Sequence, residues 1–107
     1  MLSLIRITVS DIWEAREISR KLVNDKLAVS CQIVPVDSIY RWEGNVVSDK
    51  EYRIEVLTLT GLFGKINECV CDISSYELTE VVEVSNNVTV SQEIKNWVIE
   101  NMRRKDE

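Results

Sequence analysis

Two periodicities alternate along the 107 residues and predict an α+β fold, an antiparallel sheet built in the order βαββαβ with an additional C-terminal helix. Runs of period two, such as Glu51 to Thr60, put Tyr52, Ile54 and Val56 on one side, which is strand geometry. Runs with apolar residues three and four apart, such as Ile12, Ala15, Ile18, Leu22 and Val23, describe one face of a helix. Punctuation is the third observation: side-chain oxygens at Ser10-Asp11 and Ser91 stand where helices begin.

Taken in order, Leu4 to Val9 is a β-branched strand. The helix after it opens on Asp11 and Glu14, which suit the positive end of a helix dipole, and runs to about Lys26 with Arg16, Arg20 and Lys21 on its wet side. Leu27 to Val34 is the next strand, stopped by Pro35, which has no amide proton for a ladder and belongs at an edge or a bend. The stretch SIYRWEGN then sends Ile39, Arg41 and Glu43 to one side and Ser38, Tyr40 and Trp42 to the other. Val47-Ser48-Asp49-Lys50 is polar enough to reverse the chain, so this aromatic segment and Glu51 to Thr60 pair as a long hairpin. A second helix from about Leu62 to Ile73 carries Leu62, Ile66, Cys69, Val70 and Ile73 on one face and is weakened by Gly64. Val81 to Val84 is a short strand and Ser85-Asn86-Asn87 a turn. Ser91 caps a last helix bearing Ile94, Trp97, Val98 and Met102, and Arg103-Arg104-Lys105 complement its negative end.

Composition removes several classes of function. At 45% hydrophobic content the chain suits one domain over residues 1-107 with a limited core. Thirteen Lys and Arg against 18 Asp and Glu leave a net charge of -5, with no basic stripe for a phosphate backbone, so nucleic acid is not an expected partner. Arg6 breaks the apolar run of MLSLIRITVS, which argues against a secretory leader, and no segment approaches the roughly 20 apolar residues of a membrane span. Three cysteines, an odd number, fit unpaired thiols in a reducing, cytoplasmic setting. There is no histidine, so the usual general base and the commonest metal ligand are both missing, and no enzyme activity is expected.

The strand and helix order is the split βαβ pattern of ferredoxin-like domains. Right-handed crossovers place the first two helices on one face of the sheet. The other face is then left without cover from its own chain, and an exposed apolar patch of several hundred Å² marks a contact surface, so self-association is expected. Whether the aromatic side of SIYRWEGN is core, a contact between chains or a pocket wall stays open at this level.

KLAVSCQIVP, SIYRWEGNV, SSYELTEVVEV and the late Trp97 together resemble the CutA divalent-cation tolerance family across nearly the whole chain. The residues that carry the resemblance are Leu27-Ala28, Pro35, Ser38 to Gly44, Tyr76-Glu77 and Glu80. It implies a ferredoxin-like subunit in a homotrimer, a PII-like kinship of fold, and a link to copper and other divalent cations. Against the family's pattern, Ser74-Ser75-Tyr76 replaces His-Pro-Tyr, Cys31 stands one place after the usual cysteine position, and Arg53, Glu55 and Leu57 depart from an apolar strand ending in lysine.

Candidate site residues follow from both readings. Clefts between subunits are expected near Tyr40, Arg41, Trp42, Glu43, Tyr76, Glu77, Glu80 and Trp97, where a small molecule or a cation would bind. The carboxylates are hard oxygen ligands, solvated charges or strand-end caps, and Arg41 beside Glu43 reads as an ion pair or an anion fork. Without histidine, a soft ion such as cuprous copper would need thiolates, for which Cys31 and Cys71 are the candidates, contributed by different subunits. Cys69 belongs to the core, since residues two apart on a helix point to different sides. The alternative function is a trimeric scaffold that presents partner-binding surfaces and binds no metal itself.

Overall fold

The computed structural model describes residues 1–103. Its elements are β1 (Leu2–Val9), α1 (Ile12–Asn24), β2 (Ser30–Trp42), β3 (Asn45–Leu59), α2 (Phe63–Ile73), β4 (Glu80–Ser85) and α3 (Gln92–Met102). The four strands form one antiparallel sheet in the order β2-β3-β1-β4, so β2 and β4 are its edges. Alternation decides the faces. Ile5, Ile7 and Val9 of β1 lie opposite Val56, Ile54 and Tyr52 of β3, and these side chains meet Ala15, Ile18 and Leu22 of α1 and Ile66 and Val70 of α2 in the main core. Each fully buried aliphatic side chain there is worth about 1.5 to 3 kcal/mol.

Local chemistry sets the helix ends. The Asp11 carboxylate accepts the Glu14 amide at 2.8 Å, occupying one of the unpaired donors of the first turn of α1. The Ser91 hydroxyl does the same for the Ile94 amide at 3.3 Å at the start of α3. At the other end of α1 the chain turns through Lys26 at φ +55°, and its amine then donates to the Arg103 carbonyl just past α3, at 2.7 Å. The cation at the C-terminus of α3 is therefore supplied from a distant loop, whereas Arg104 and Lys105 lie outside the described residues.

Three expectations are corrected. Val47-Ser48-Asp49-Lys50 does not reverse the chain but runs inside β3, paired with β2 from Asp37 to Tyr40. The reversal is the two-residue turn Glu43-Gly44, with φ of +49° and +81°, the left-handed pair that matches the twist of a tight hairpin. Pro35 does not end a strand either: β2 continues through it to Trp42, which an edge strand permits because a proline there can face away from the ladder. The sheet face turned away from α1 and α2 is not wholly bare. Val98 and Met102 of α3 close over Leu2 at one end of it, with Leu57, Leu59 and Val29 packed alongside.

The remainder of that second face is mixed. Arg6, Arg53, Glu55 and Gln32 alternate outward with Val34, and Arg53 pairs with Glu55 at 3.4 Å along the same strand. Because β1 pairs only with Tyr52 to Leu59 of β3, the far half of the β2-β3 hairpin projects beyond the sheet as an arm. The arm stretches the molecule to 47 × 25 × 21 Å, with a radius of gyration of 14.6 Å against about 13 Å for a compact chain of this length.

Candidate functional site

Where the arm leaves the sheet, it faces the loop between α2 and β4. That loop is held in place by serines. Glu14 of α1 accepts the Ser75 amide at 2.6 Å, and the Ser74 hydroxyl accepts from the Tyr76 amide at 3.2 Å and from the Thr79 hydroxyl at 2.7 Å. Positions 74 and 75, where the resemblance leads one to expect His-Pro, thus act here as loop anchors. Their geometry turns Tyr76 toward β3, where its hydroxyl donates to the carboxylate of Glu51. Glu51 is 6% exposed, so the tyrosine answers a carboxylate that water hardly reaches.

A second pair of the same chemistry lies on the arm. Tyr40 of β2 donates its hydroxyl to Asp49 of β3, one diagonal step across the hairpin. Both phenols are harder to ionise than usual. The bond to Asp49, followed by slight desolvation and the nearby negative charges, pushes Tyr40 up to about 12. Burial first, then the bond to Glu51 and that carboxylate's charge, push Tyr76 up further. Near neutral pH the two groups are fixed donors, and neither is a base.

Between arm and loop lies a cleft of about 840 Å³, within the range of small-molecule sites. Tyr40, Arg41 and Trp42 wall it on one side and Tyr76, Glu77 and Glu80 on the other, so six of the eight residues singled out from the sequence meet at one place. Glu80 is held by Thr8 of β1, whose hydroxyl donates to it at 3.4 Å. The other two are elsewhere. Glu43 occupies the turn at the tip of the arm, and Trp97 lies on α3, 43% exposed and outside the lining of this cleft. No ion pair joins Arg41 to Glu43 among the described residues, because the left-handed turn takes Glu43 out of the strand alternation that would have aligned them.

Sequence reasoning missed Glu51, Asp49 and Asp37. Glu51 and Asp49 were hidden by the misplaced reversal, which made Asp49 a turn residue. The available signal was period two itself, since Asp49, Glu51, Arg53 and Glu55 recur on the strand side opposite Tyr52 and Ile54.

The thiols do not assemble into a site within the chain. Cys31 lies in β2 against the main core, beside the buried Ser19 hydroxyl, which has no hydrogen-bond partner of good geometry. Burial pushes its thiol up to about 11, with Ser19 opposing the shift only slightly, so the thiolate needed for a soft metal is scarce. Cys71 is exposed on α2, its thiol donating to the side-chain Oδ1 of Asn67 at 3.8 Å. Cys69 packs against the core as expected. Among the described residues no three Cys, Asp or Glu side chains converge as a metal-holding group.

An open antiparallel sheet carrying two helices on one face, with an aromatic and acidic cleft at the root of a long hairpin arm, defines an α+β fold. The profile described as CutA1 divalent ion tolerance protein matches residues 3–101. The divalent-cation tolerance protein CutA of Thermus thermophilus is 37% identical over 102 residues, covering 94% of this chain and 98% of that one. A solved structure of the divalent cation tolerance protein from Thermus thermophilus superposes with a TM-score of 0.87 over 94% of this chain and 98% of its own. The periplasmic divalent cation tolerance protein CutA of Archaeoglobus fulgidus, 26% identical, reaches 0.91 over 96% of this chain and all of its own. The chain belongs to the CutA1 divalent ion tolerance family. No helix among the described residues is long and apolar enough to cross a membrane.

Proposed function

We propose that the chain is a cytoplasmic, PII-like binding and signalling module of the divalent-cation response, with no catalytic activity, and that it works as a homotrimer of ferredoxin-like subunits. The cleft between the hairpin arm and the Tyr76 loop is its ligand site, completed by a neighbouring subunit. The observation that carries this reading is the convergence of Tyr40, Trp42, Tyr76 and Glu80 around a cavity of about 840 Å³ at the edge of a partly uncovered sheet face. Assembly is supported by the same face: Val34 and Val82 stand 38% and 37% exposed on it, and both outer strands have unpaired edges. Light scattering on the purified protein should give the mass of three chains, and a monomer would remove the shared cleft.

A second reading is favoured by one observation. Since no three ligating side chains converge among the described residues, copper or another divalent cation would have to be shared between subunits. If none is, the trimer is a scaffold that presents partner-binding surfaces. Calorimetric titration with copper, zinc and nucleotides separates the two, because a scaffold gives no saturable heat with any of them.

A further inference from the structure

We infer that the cleft selects an organic cation, an ammonium group carried on a small apolar body, over a metal ion or a phosphate-bearing ligand. This rests on the reading of the cleft as a ligand site and adds the chemical class it takes. Three aromatic side chains, Tyr40, Trp42 and Tyr76, contribute to its walls. The face of an aromatic ring carries negative charge density that attracts a cation, most strongly for tryptophan.

Two of the rings are also polarised. Tyr40 and Tyr76 donate their hydroxyls to Asp49 and Glu51, and donation to an anion shifts electron density into the phenol, as happens along any chain of hydrogen bonds. The remaining charge has the same sign. Among the described residues, Asp37, Glu51, Glu77 and Glu80 line the cavity against one guanidinium, that of Arg41. A phosphate would meet a mostly like-signed wall, whereas a cation meets an opposite one.

Size and ligand geometry separate an organic cation from a metal ion. About 840 Å³ far exceeds the space of one hydrated ion. The carboxylates do not come together as a group of three, so a bare divalent cation would keep most of its water. An alkylammonium ion needs no such convergence, because its charge is spread over methyl or methylene groups that also bury apolar area against Ile39 and Leu78.

The test is calorimetric titration of the full-length protein with choline, with its uncharged isostere 3,3-dimethylbutan-1-ol, with ATP and with zinc. Choline should bind saturably with a dissociation constant of about 1 mM or tighter and at least about tenfold more strongly than the isostere. Trp42→Ala and Glu80→Gln should each weaken choline about tenfold, while Trp13→Ala, on α1 and outside the cleft, leaves it unchanged. Equal affinity for choline and the isostere overturns the inference, as does choline binding that survives Trp42→Ala. Saturable zinc or ATP binding that Trp42→Ala abolishes, with choline silent, overturns the ligand class while leaving the cleft as the site. No heat with any of the four overturns both readings.

Discussion

The Tyr76 hydroxyl donates to the carboxylate of Glu51, tying the loop after α2 to β3 across 25 residues of chain. Tyr76→Phe keeps the ring and removes the donor. A carboxylate only 6% exposed is then left without that partner, which costs about 1 to 3 kcal/mol for a buried acceptor. Urea denaturation should show a lower midpoint with an unchanged slope. An unchanged midpoint would mean that water replaces the phenol and that the loop is not anchored by it.

Alkaline pH tests both tyrosine pairs at once. Each phenol ionises at a higher pH in the folded protein than the usual value near 10, so the folded state holds its proton longer than the unfolded chain does. Their stabilising contribution is complete below pH 10 and is lost as pH rises from about 10 through about 12 for Tyr40 and higher for Tyr76. Stability should therefore fall over that window, and the fall should be shallower in the Tyr40→Phe, Tyr76→Phe double variant. Tyrosinate absorbance gives the direct readout: the step near 12 should vanish in Tyr40→Phe.

The hairpin tip offers a change that should stabilise. Glu43 holds φ at +49°, a left-handed conformation that costs a side-chain-bearing residue about 1 to 2 kcal/mol. Asparagine tolerates it far better and with Gly44 makes the preferred sequence for such a turn. Glu43→Asn should raise stability by about 0.5 to 1 kcal/mol, read as a higher thermal midpoint.

The misreading of this turn shows what the sequence does and does not carry. Period two and period 3.6 located every strand and helix, because those patterns are written by the residues that meet in the core, such as Ile5, Ile54, Ile18 and Ile66. The reversal went wrong because Glu-Gly is a weak turn signal, while Val47-Ser48-Asp49-Lys50 is polar for a different reason. In an arm that projects beyond the sheet both sides of the strand are wet, so alternation fades without the strand ending. The cover that α3 gives to Leu2 was equally hidden, since an amphipathic helix announces its apolar face but not the surface that receives it. The aromatic wall of the cleft was legible as a conspicuous stretch. Its carboxylate partners were not, since whether Tyr40 reaches Asp49 depends on a register that only the correct turn fixes.

Thr58 provides a measure of how the two layers are locked. Its hydroxyl is fully buried and donates to the Leu27 carbonyl at 2.6 Å, joining β3 to the connection between α1 and β2. Thr58→Val is nearly isosteric and removes only the donor, leaving a carbonyl in a dry environment, for which a loss of about 1 to 3 kcal/mol is expected. Hydrogen exchange at the Leu27 and Ala28 amides, both bonded to the Leu22 carbonyl, should accelerate more than exchange in α2 if the loss is local.

The three thiols should separate by reactivity. Cys31 is held at about 11 by burial against the core, so at pH 8 about one molecule in a thousand carries its thiolate. Cys69 is also raised, mainly by burial, whereas Cys71 stands exposed on α2. Brief maleimide treatment of the native protein, followed by peptide mass mapping, should label Cys71 first, Cys69 slowly and Cys31 only after denaturation. Copper supplied as the cuprous ion under reducing conditions should follow the same order, so Cys71→Ser should lower any uptake far more than Cys31→Ser. Equal loss in the two variants, together with labelling of Cys31 at the rate of Cys71, would mean that α1 lifts from β2 often enough to open the core. Ser19, buried beside that thiol without a well-formed hydrogen bond, is where such an opening would begin, and Ser19→Ala should slow the labelling of Cys31 if it does.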